Sequence, residues 1–205
     1  MIGIEGHQLP QFIIRRDKRY NVEDHRMVSV ENVVASGSLG VELDLEVVAD
    51  ELSEVVDYDS EIYPGAYFRL DDSAPLITVY RTGKYIITGA GSEDEASATR
   101  SELLQLLAES SILLEAKDEW YKIQNYVCMD DIGQQLNLSA LAIGLGLEFT
   151  EYEPEQFPGL VYRPTDHDCV MLVFGSGKVI ITGTTAVGSA EEAVAALLEQ
   201  IDTLF

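Results

Sequence analysis

A spaced pattern of residues occurs twice in this chain, at residues 30–89 and again at residues 123–183. Each copy keeps an asparagine, an aromatic-Pro-Gly turn, an arginine, and a Gly-Lys pair that leads into an Ile-Ile-Thr-Gly run. In the first copy these are Asn32, Tyr63-Pro64-Gly65, Arg69, Gly83-Lys84 and Ile86-Ile87-Thr88-Gly89, and in the second they are Asn125, Phe157-Pro158-Gly159, Arg163, Gly177-Lys178 and Ile180-Ile181-Thr182-Gly183. An internal repeat of this length predicts two half-domains related by a pseudo-two-fold axis. Such a surface suits a partner with its own approximate two-fold symmetry, such as duplex DNA.

The formal net charge of −23 is distributed unevenly along the chain. Residues 1–28 hold five basic and four acidic side chains, whereas residues 29–205 hold eight basic and 32 acidic ones. A charge of this sign repels nucleic acid in dilute buffer. In molar salt, however, the Debye length falls to about 3 Å, and repulsion between distant charges nearly vanishes. The low number of lysines, five in all, favours a halophilic archaeal cytoplasm.

The length of 205 residues is enough for one large domain or for two halves with a shared core. We expect a cytoplasmic, nucleoid-associated protein, because the chain has no apolar run that could span a membrane and no signal-peptide pattern at its start. Cys128 and Cys169 lie in unrelated contexts, and we expect both to be reduced.

The pattern predicts the same order of elements in each repeat, namely a strand, a helix, four short strands and a long helix. The first repeat is expected to have strands near 29–36, 54–60, 66–71, 76–80 and 84–88, and helices from Asp44 to Leu52 and from Ser92 to about Glu109. The second is expected to have strands near 121–129, 147–153, 160–164, 170–174 and 178–182, and helices from Asn137 to Leu145 and from Ser189 to about Leu204. Asp44 and Asn137 are candidate N-caps. We divide the chain into an N-terminal extension (1–28), a first repeat (29–115) and a second repeat (116–205).

The predicted strands are apolar at successive positions, so both faces of the sheet are apolar. One face can pack against the helices, and the other then requires a partner of its own. By period-two alternation, that second face carries a matched set from the two repeats. Its members are Asn32, Val34, Thr78, Tyr80, Ile86 and Thr88 from the first repeat, and Asn125, Val127, Leu172, Phe174, Ile180 and Thr182 from the second.

The matched asparagines on this apolar face admit two interpretations. Each could satisfy a neighbouring strand or turn, since an unpaired buried amide is costly. Alternatively, each could donate hydrogen bonds into the minor groove of DNA, where A·T pairs present only the acceptors adenine N3 and thymine O2. The occurrence of one asparagine in each repeat favours the second interpretation.

Several segments give the chain a close resemblance to the archaeal TATA-box-binding protein family. Gln124-Asn125, the run from Glu151 to Arg163, Gly175-Ser176-Gly177-Lys178 and Glu42-Leu43-Asp44-Leu45 carry it, and it extends over about residues 29–203. The resemblance implies an α+β fold, a two-repeat saddle in which a curved ten-stranded antiparallel sheet carries four helices on its convex face. It also implies a general transcription initiation factor that binds and bends A·T-rich promoter DNA through the minor groove, with transcription factor B and the RNA polymerase assembly as partners.

The resemblance also assigns roles to individual residues. Two aromatic pairs act in this family as wedges that kink the duplex, a mechanism for which the family is the standard example, and the matching pairs here are Tyr63 with Tyr80 and Phe157 with Phe174. Arg69, Lys84, Arg163 and Lys178 match phosphate contacts. Glu153 and Glu155 match the acidic turn that binds transcription factor B, although a solvated acidic turn is an equal alternative.

The sequence departs from the family pattern in two respects. The first-repeat wedge consists of tyrosines where the family usually has phenylalanine, which predicts a weaker wedge and a biased orientation on DNA, because a buried hydroxyl needs a hydrogen-bond partner. Basic residues are also fewer, which keeps open a second hypothesis, a divergent regulator that acts by protein–protein interaction without stable DNA binding.

No cofactor, metal site or enzymatic activity is expected from the sequence, because no catalytic set or metal-ligand cluster converges in it. Asp166-His167-Asp168-Cys169 is interpreted as a solvated turn. The basic run Arg15-Arg16-Asp17-Lys18-Arg19 is interpreted as part of a solvated arm.

Overall fold

Residues 28–204 are described by the computed structural model, and the predicted N-terminal extension, including Arg15–Arg19, lies almost wholly outside the described residues. The first repeat consists of β1 (Ser29–Ser38), α1 (Leu45–Glu51), β2 (Val56–Asp57), β3 (Gly65–Phe68), β4 (Leu76–Tyr80), β5 (Lys84–Ala90) and α2 (Glu93–Glu109). The second consists of β6 (Trp120–Asp131), α3 (Leu138–Leu145), β7 (Thr150–Glu151), β8 (Leu160–Tyr162), β9 (Val170–Val173), β10 (Lys178–Thr184) and α4 (Val187–Leu204). The predicted order of strands and helices is therefore confirmed in both repeats.

The polar side chains that begin the short helices lie where the sequence predicted them. Asp44 accepts hydrogen bonds from the backbone amides of Glu46 and Val47 before α1, and Asn137 accepts one from Ala140 before α3. Ser92 caps the long helix α2 by accepting from Glu95. These bonds satisfy amide groups that the first turn of a helix leaves unpaired.

The outermost strands, β2 and β7, are two residues long, much shorter than the predicted strands 54–60 and 147–153. Turns that follow these two strands occupy backbone groups that would otherwise extend the strands. After β2, the amides of Ile62 and Tyr63 donate to the carbonyl of Asp59, and after β7 the amide of Gln156 donates to that of Glu153. These strands lie at the edges of the sheet, where short strands limit pairing with other chains.

All ten strands form one antiparallel sheet in the order β2-β3-β4-β5-β1-β6-β10-β9-β8-β7. The order is the same for the two repeats when it is followed outward from the centre, where β1 pairs with β6. The predicted fold class, an α+β two-repeat saddle with a ten-stranded antiparallel sheet and four helices, is confirmed.

One face of the sheet packs against the helices and forms a single core, and we call this the helix face. Its buried side chains alternate with the residues of the opposite face, as in Val33 and Ala35 of β1 and Ile77 and Val79 of β4. The long helices contribute Leu103 and Leu107 of α2, and Leu197 and Ile201 of α4, to the same core. The opposite face, which we call the open face, is only partly buried within residues 28–204.

A polar network connects the long helix of the first repeat to the residues that lead into the second repeat. Arg100 of α2 binds both carboxylate oxygens of Asp118 in the linker between the repeats, and Tyr85 of β5 donates to the same carboxylate at 2.5 Å. Arg100 also lies over the ring of Tyr121, 4.9 Å from its centroid. Tyr85 reaches Asp118 by crossing β1 at Gly37, where any side chain would overlap its hydroxyl group.

The equivalent positions in the second repeat are apolar, with Val179 in place of Tyr85 and Val194 in place of Arg100. A second tyrosine–carboxylate bond, from Tyr126 of β6 to Glu93 of α2, also links the two repeats, at 2.8 Å. The two halves thus share a backbone plan but differ in what holds their helices to the sheet.

Candidate nucleic-acid interface

The open face brings together the residues that the sequence placed on one surface. Strand register puts paired residues of adjacent antiparallel strands on the same face, and the pairs Thr78–Ile86 and Ile180–Leu172 follow this rule. Within residues 28–204, the open face includes the side chains of Asn32, Val34, Thr78, Tyr80, Ile86, Thr88, Asn125, Val127, Leu172, Phe174, Ile180 and Thr182. All of these side chains are half-buried except Thr78, which is 8% exposed beneath the tyrosine pair. The arrangement is an apolar strip with one amide group in each half.

Both asparagines are held in the same way by the neighbouring strand. The Oδ1 atom of Asn32 accepts a hydrogen bond from the amide of Gly89 at 2.8 Å, and that of Asn125 accepts one from Gly183 at 2.7 Å. Each glycine has a φ of 92° and lies where the register shifts by one residue, so a β-bulge turns its amide towards the asparagine. A residue with a side chain is strained at this φ, which explains why both repeats keep Gly at the end of the Ile-Ile-Thr-Gly run.

Fixing Oδ1 determines which way each side-chain amide faces, and the amide nitrogen Nδ2 remains as the donor. Nδ2 of Asn125 gives one hydrogen to Thr182 at 3.1 Å and retains a second, while Nδ2 of Asn32 donates to no acceptor within residues 28–204. The two interpretations of the asparagines therefore combine, because the carbonyl satisfies the sheet and the amino group remains available to a ligand.

The first aromatic pair, Tyr63 with Tyr80, is joined through its hydroxyl groups, whose oxygens are 2.8 Å apart. Tyr63 also stacks on Tyr67 of β3, with ring centroids 5.3 Å apart and planes 12° from parallel. The hydrogen bond to Tyr63, together with partial burial, raises the pKa of Tyr80 to about 12 and so keeps its hydroxyl protonated at neutral pH. The predicted need for a hydroxyl partner is therefore met within the pair itself.

The second aromatic pair, Phe157 with Phe174, has an edge-to-face geometry with centroids 5.9 Å apart. A glycine lies under each pair. A Cβ atom on Gly159 would be 2.7 Å from Phe157 and 3.1 Å from Phe174, and one on Gly65 would be 3.1 Å from both Tyr63 and Tyr80. The sequence identified these glycines only as parts of turns, whereas their lack of a side chain is what allows both ring pairs to sit close to the sheet.

The four basic residues proposed for phosphate contact are all exposed, but their surroundings differ. Arg163 forms an exposed ion pair with Glu151 at 3.1 Å, while Arg69, Lys84 and Lys178 form no ion pair within residues 28–204. An exposed ion pair contributes about 0 to 1 kcal/mol, so a phosphate can readily replace Glu151.

The acidic turn lies directly before the second aromatic pair. Glu153 and Glu155 are both exposed, and the side chain of Glu153 accepts a hydrogen bond from Gln156 at 2.6 Å. The amides of Gln156 and Phe157 donate to the carbonyl of Glu153 and close the turn. The first repeat forms a similar turn at Asp59, so both ends of the sheet carry an acidic loop.

A pocket of about 450 Å³ opens on the first half of the open face, and sequence reasoning missed it. It is lined by Tyr80, Arg81, Lys84, Ile86 and Trp120, among other residues. Trp120, the only tryptophan of the chain, is 38% exposed there. The pairing of β1 with its two neighbouring strands could have identified Trp120 as part of this surface. Trp120 and Lys84 both pair with Ser38, from opposite sides of β1.

Within residues 28–204 no group of three or more His, Cys, Asp or Glu side chains is arranged to hold a metal ion. None of the helices in the same range is long and apolar enough to cross a membrane. The open face combines an apolar strip, the amide donors of Asn32 and Asn125, and exposed basic side chains.

Comparison with known proteins agrees with this geometry. A family model described as transcription factor TFIID, or TATA-binding protein, matches residues 27–110 and 120–204. TATA-box-binding protein C of Halobacterium salinarum is 49% identical over 167 residues, which cover 81% of this chain and 92% of that protein. The TATA-box-binding protein of Haloarcula marismortui is 45% identical over 183 residues, which cover 89% and 97%.

Among solved structures, the TATA-binding protein of Methanococcus jannaschii aligns with a TM-score of 0.77 and 40% identity, over 87% of this chain and 99% of that one. The sequence-based assignment of the family and of a halophilic archaeal origin is thus confirmed. The chain belongs to the TATA-binding protein family of transcription factors, and its relatives include proteins of halophilic archaea.

Proposed function

We propose that this protein is a general transcription initiation factor that binds A·T-rich promoter DNA in the minor groove through its open face. The two asparagines carry the proposal. Each has its carbonyl oxygen held by a glycine amide and its amino group left as a donor, once in each repeat. The acceptors of A·T pairs, adenine N3 and thymine O2, complement these donors. A guanine amino group in the same place would meet another donor and an apolar strip.

The two aromatic pairs supply the means to bend the duplex. Tyr63 with Tyr80 lies in the first half of the sheet, and Phe157 with Phe174 occupies the equivalent place in the second. Each pair inserts at one base step and kinks the duplex towards the major groove. Steps such as TA kink at low cost, so deformability adds to the selection of A·T-rich sites.

Transcription factor B and the RNA polymerase assembly are the proposed protein partners, with the acidic turn as the contact. The proposed docking side is that of the second repeat. Glu153 and Glu155 are exposed at the turn, and Ile143 and Leu147, which precede it in the chain, are 71% and 69% exposed.

A mobility-shift assay in molar KCl tests the proposal, with a TATA duplex and a matched G·C-substituted duplex, each with and without transcription factor B. We expect a shift on the TATA duplex alone and a further shift when transcription factor B is added. Emission of Trp120, which lines the open-face pocket, should change on the TATA duplex only. Equal shifts on both duplexes would contradict minor-groove selection of A·T pairs.

A second candidate function is a regulator that binds protein partners without stable DNA contact. The charge of the repeats favours it, since residues 29–205 hold 32 acidic and only eight basic side chains and Arg163 already pairs with Glu151. A complex with transcription factor B that forms without any DNA shift would establish this function instead.

A further inference from the structure

We infer that the tyrosine pair makes the first-repeat end of the DNA site tolerant of an amino group in the minor groove, whereas the phenylalanine pair rejects one. The inference rests on the proposed function and specifies which base pairs each half accepts. On the open face the repeats share Asn32 with Asn125, Val34 with Val127 and Ile86 with Ile180. The aromatic pairs differ in their hydroxyl groups, and this difference would contribute to the orientation of the protein on DNA.

The hydroxyl groups of Tyr63 and Tyr80 form a polar tip on an otherwise apolar wedge. Their oxygens are 2.8 Å apart, and both rings lie over Gly65, where a Cβ atom would be 3.1 Å from each of them. Tyr67 stacks on Tyr63 and supports it from the side. Because glycine and stacking fix the rings from below and beside, the hydroxyl groups are held together in the free protein.

Counting donors and acceptors shows what this tip can offer to a base pair. Two hydroxyl groups carry two protons and four acceptor lone pairs. Their mutual hydrogen bond uses one proton and one lone pair. One proton therefore remains for an acceptor such as adenine N3 or thymine O2, and lone pairs remain for a donor such as the amino group of guanine.

The phenylalanine pair in the second half has neither a donor nor an acceptor. Phe157 and Phe174 meet edge to face over Gly159, and no hydroxyl group lies at their tips. A guanine amino group buried against these rings would lose its hydrogen bonds to water without replacement. The loss of such a bond reduces affinity by about tenfold or more.

A promoter element with a G·C pair at one end would consequently place that end under the tyrosine pair. The protein would then bind in one direction, although its sheet is nearly symmetric. An element with A·T pairs at both ends would give no such preference from the wedges.

Duplexes with a modified base at the terminal kink steps test this inference directly. 2,6-Diaminopurine in place of adenine adds only the minor-groove amino group, and inosine in place of guanine removes it. On a symmetric A·T site with diaminopurine at one end, the unaltered protein should lose less than about threefold in affinity, because it can turn its tyrosine pair to that end. With diaminopurine at both ends it should lose about tenfold.

Two matched variants make the outcome specific to the hydroxyl groups. Y63F with Y80F should lose about tenfold with diaminopurine at one end, and F157Y with F174Y should tolerate it at both ends. Inosine·cytosine pairs should behave as A·T pairs for all three proteins. Near-ultraviolet circular dichroism of Trp120 checks that each variant is folded.

Equal losses for the unaltered protein and the Y63F/Y80F variant on the one-end duplex would overturn the inference. So would a failure of the F157Y/F174Y variant to tolerate the two-end duplex. Failure of the unaltered protein to bind the unmodified A·T duplex would instead contradict the proposed function itself, so the two results are distinguishable.

Discussion

At the scale of single residues, the asparagine–glycine pairs of the open face have two separable duties. Oδ1 of each asparagine accepts from a bulged backbone amide, and Nδ2 keeps at least one hydrogen without an acceptor within residues 28–204. Aspartate keeps the acceptor and removes the donor, whereas alanine removes both. The two substitutions therefore distinguish a structural contribution from a binding one.

We expect N125D to keep the thermal midpoint within about 2 °C of the unaltered protein while TATA affinity falls tenfold or more, because the donor is replaced by a charged acceptor. N125A should lower both the midpoint and the affinity, since the amide of Gly183 then loses its partner. Thermal melting and mobility shift measure the two effects. An N125D protein with unchanged affinity would show that this amide does not read the groove.

The sequence was enough to predict which residues lie on the open face, but not which side chains contact each other. The repeat and the alternation of side chains placed Asn32, Asn125, Tyr80 and Phe174 on one face, whereas Tyr63 and Phe157 were assigned to it by the resemblance to the family. Nothing in the sequence indicated that Tyr63 and Tyr80 satisfy each other, or that Glu151 pairs with Arg163, because these contacts join residues whose side-chain directions are set by strand register.

At the scale of elements, the two long helices are attached to the sheet by different means. The first half uses the Arg100–Asp118–Tyr85 network, and the second half uses valines at the positions of Arg100 and Tyr85. Burial raises the pKa of Asp118, but hydrogen bonds from Arg100 and Tyr85 and the charge of Arg100 lower it more, so the net shift is downward from 3.8. Burial and the Asp118 hydrogen bond both raise the pKa of Tyr85, which stays a donor.

We expect D118N to reduce the free energy of unfolding by about 2 to 3 kcal/mol at pH 7, because the Asp118 side chain is 5% exposed and binds a guanidinium group. The control is K117Q, which breaks the exposed Glu115–Lys117 pair between the repeats and should leave the free energy of unfolding unchanged within the error of the measurement. Urea unfolding at constant KCl measures both.

The effect of D118N on the free energy of unfolding should depend on pH in a defined way. A carboxyl group whose pKa is lowered by folding stabilises the protein above its unfolded-state pKa and loses that contribution as the pH falls through the folded value. The difference between D118N and the unaltered protein should therefore be constant from pH 5 to pH 7 and shrink below pH 4. A difference that grows on acidification would contradict this role.

The boundaries of helices were predictable where a polar side chain caps the helix or where the helical pattern of apolar residues is long. Asp44, Ser92 and Asn137 are examples. The predicted boundaries were wrong at β2 and β7, because turns at Asp59 and Glu153 take backbone groups that a longer strand would need. The buried network was not predictable either, since Arg100 and Asp118 resemble ordinary surface charges in the sequence.

At the scale of the whole molecule, the basic residues are concentrated on one face of the sheet. Six of the eight basic residues within residues 28–204 lie on the open face or line its pocket, and they are Arg69, Arg81, Lys84, Lys122, Arg163 and Lys178. The helices carry much of the acid, including Glu93, Asp94 and Glu95 in the first turn of α2. A chain with a net charge of −23 can thus still present cations to a phosphate backbone.

We expect the affinity for a TATA duplex to stay level or rise as KCl increases towards molar concentrations, because few phosphates are neutralised and cations bridge the remaining acidic groups to the DNA. The matched variant E151Q frees Arg163 from its ion pair. It should bind more tightly at low salt and lose affinity as salt increases. Binding isotherms across a KCl series measure both slopes, and a steep decline for the unaltered protein would contradict the expectation.

The bulged glycines have a consequence for the rate at which a promoter is found. Because Gly89 and Gly183 immobilise the two side-chain amides before any ligand is present, the loss of rotamer entropy is part of folding and not of association. Under the proposed function, DNA would therefore meet side-chain amides that are already in place, and the duplex rather than the protein would have to deform. The lifetime of each encounter complex would then depend on the stiffness of the DNA and not on a rearrangement of the protein.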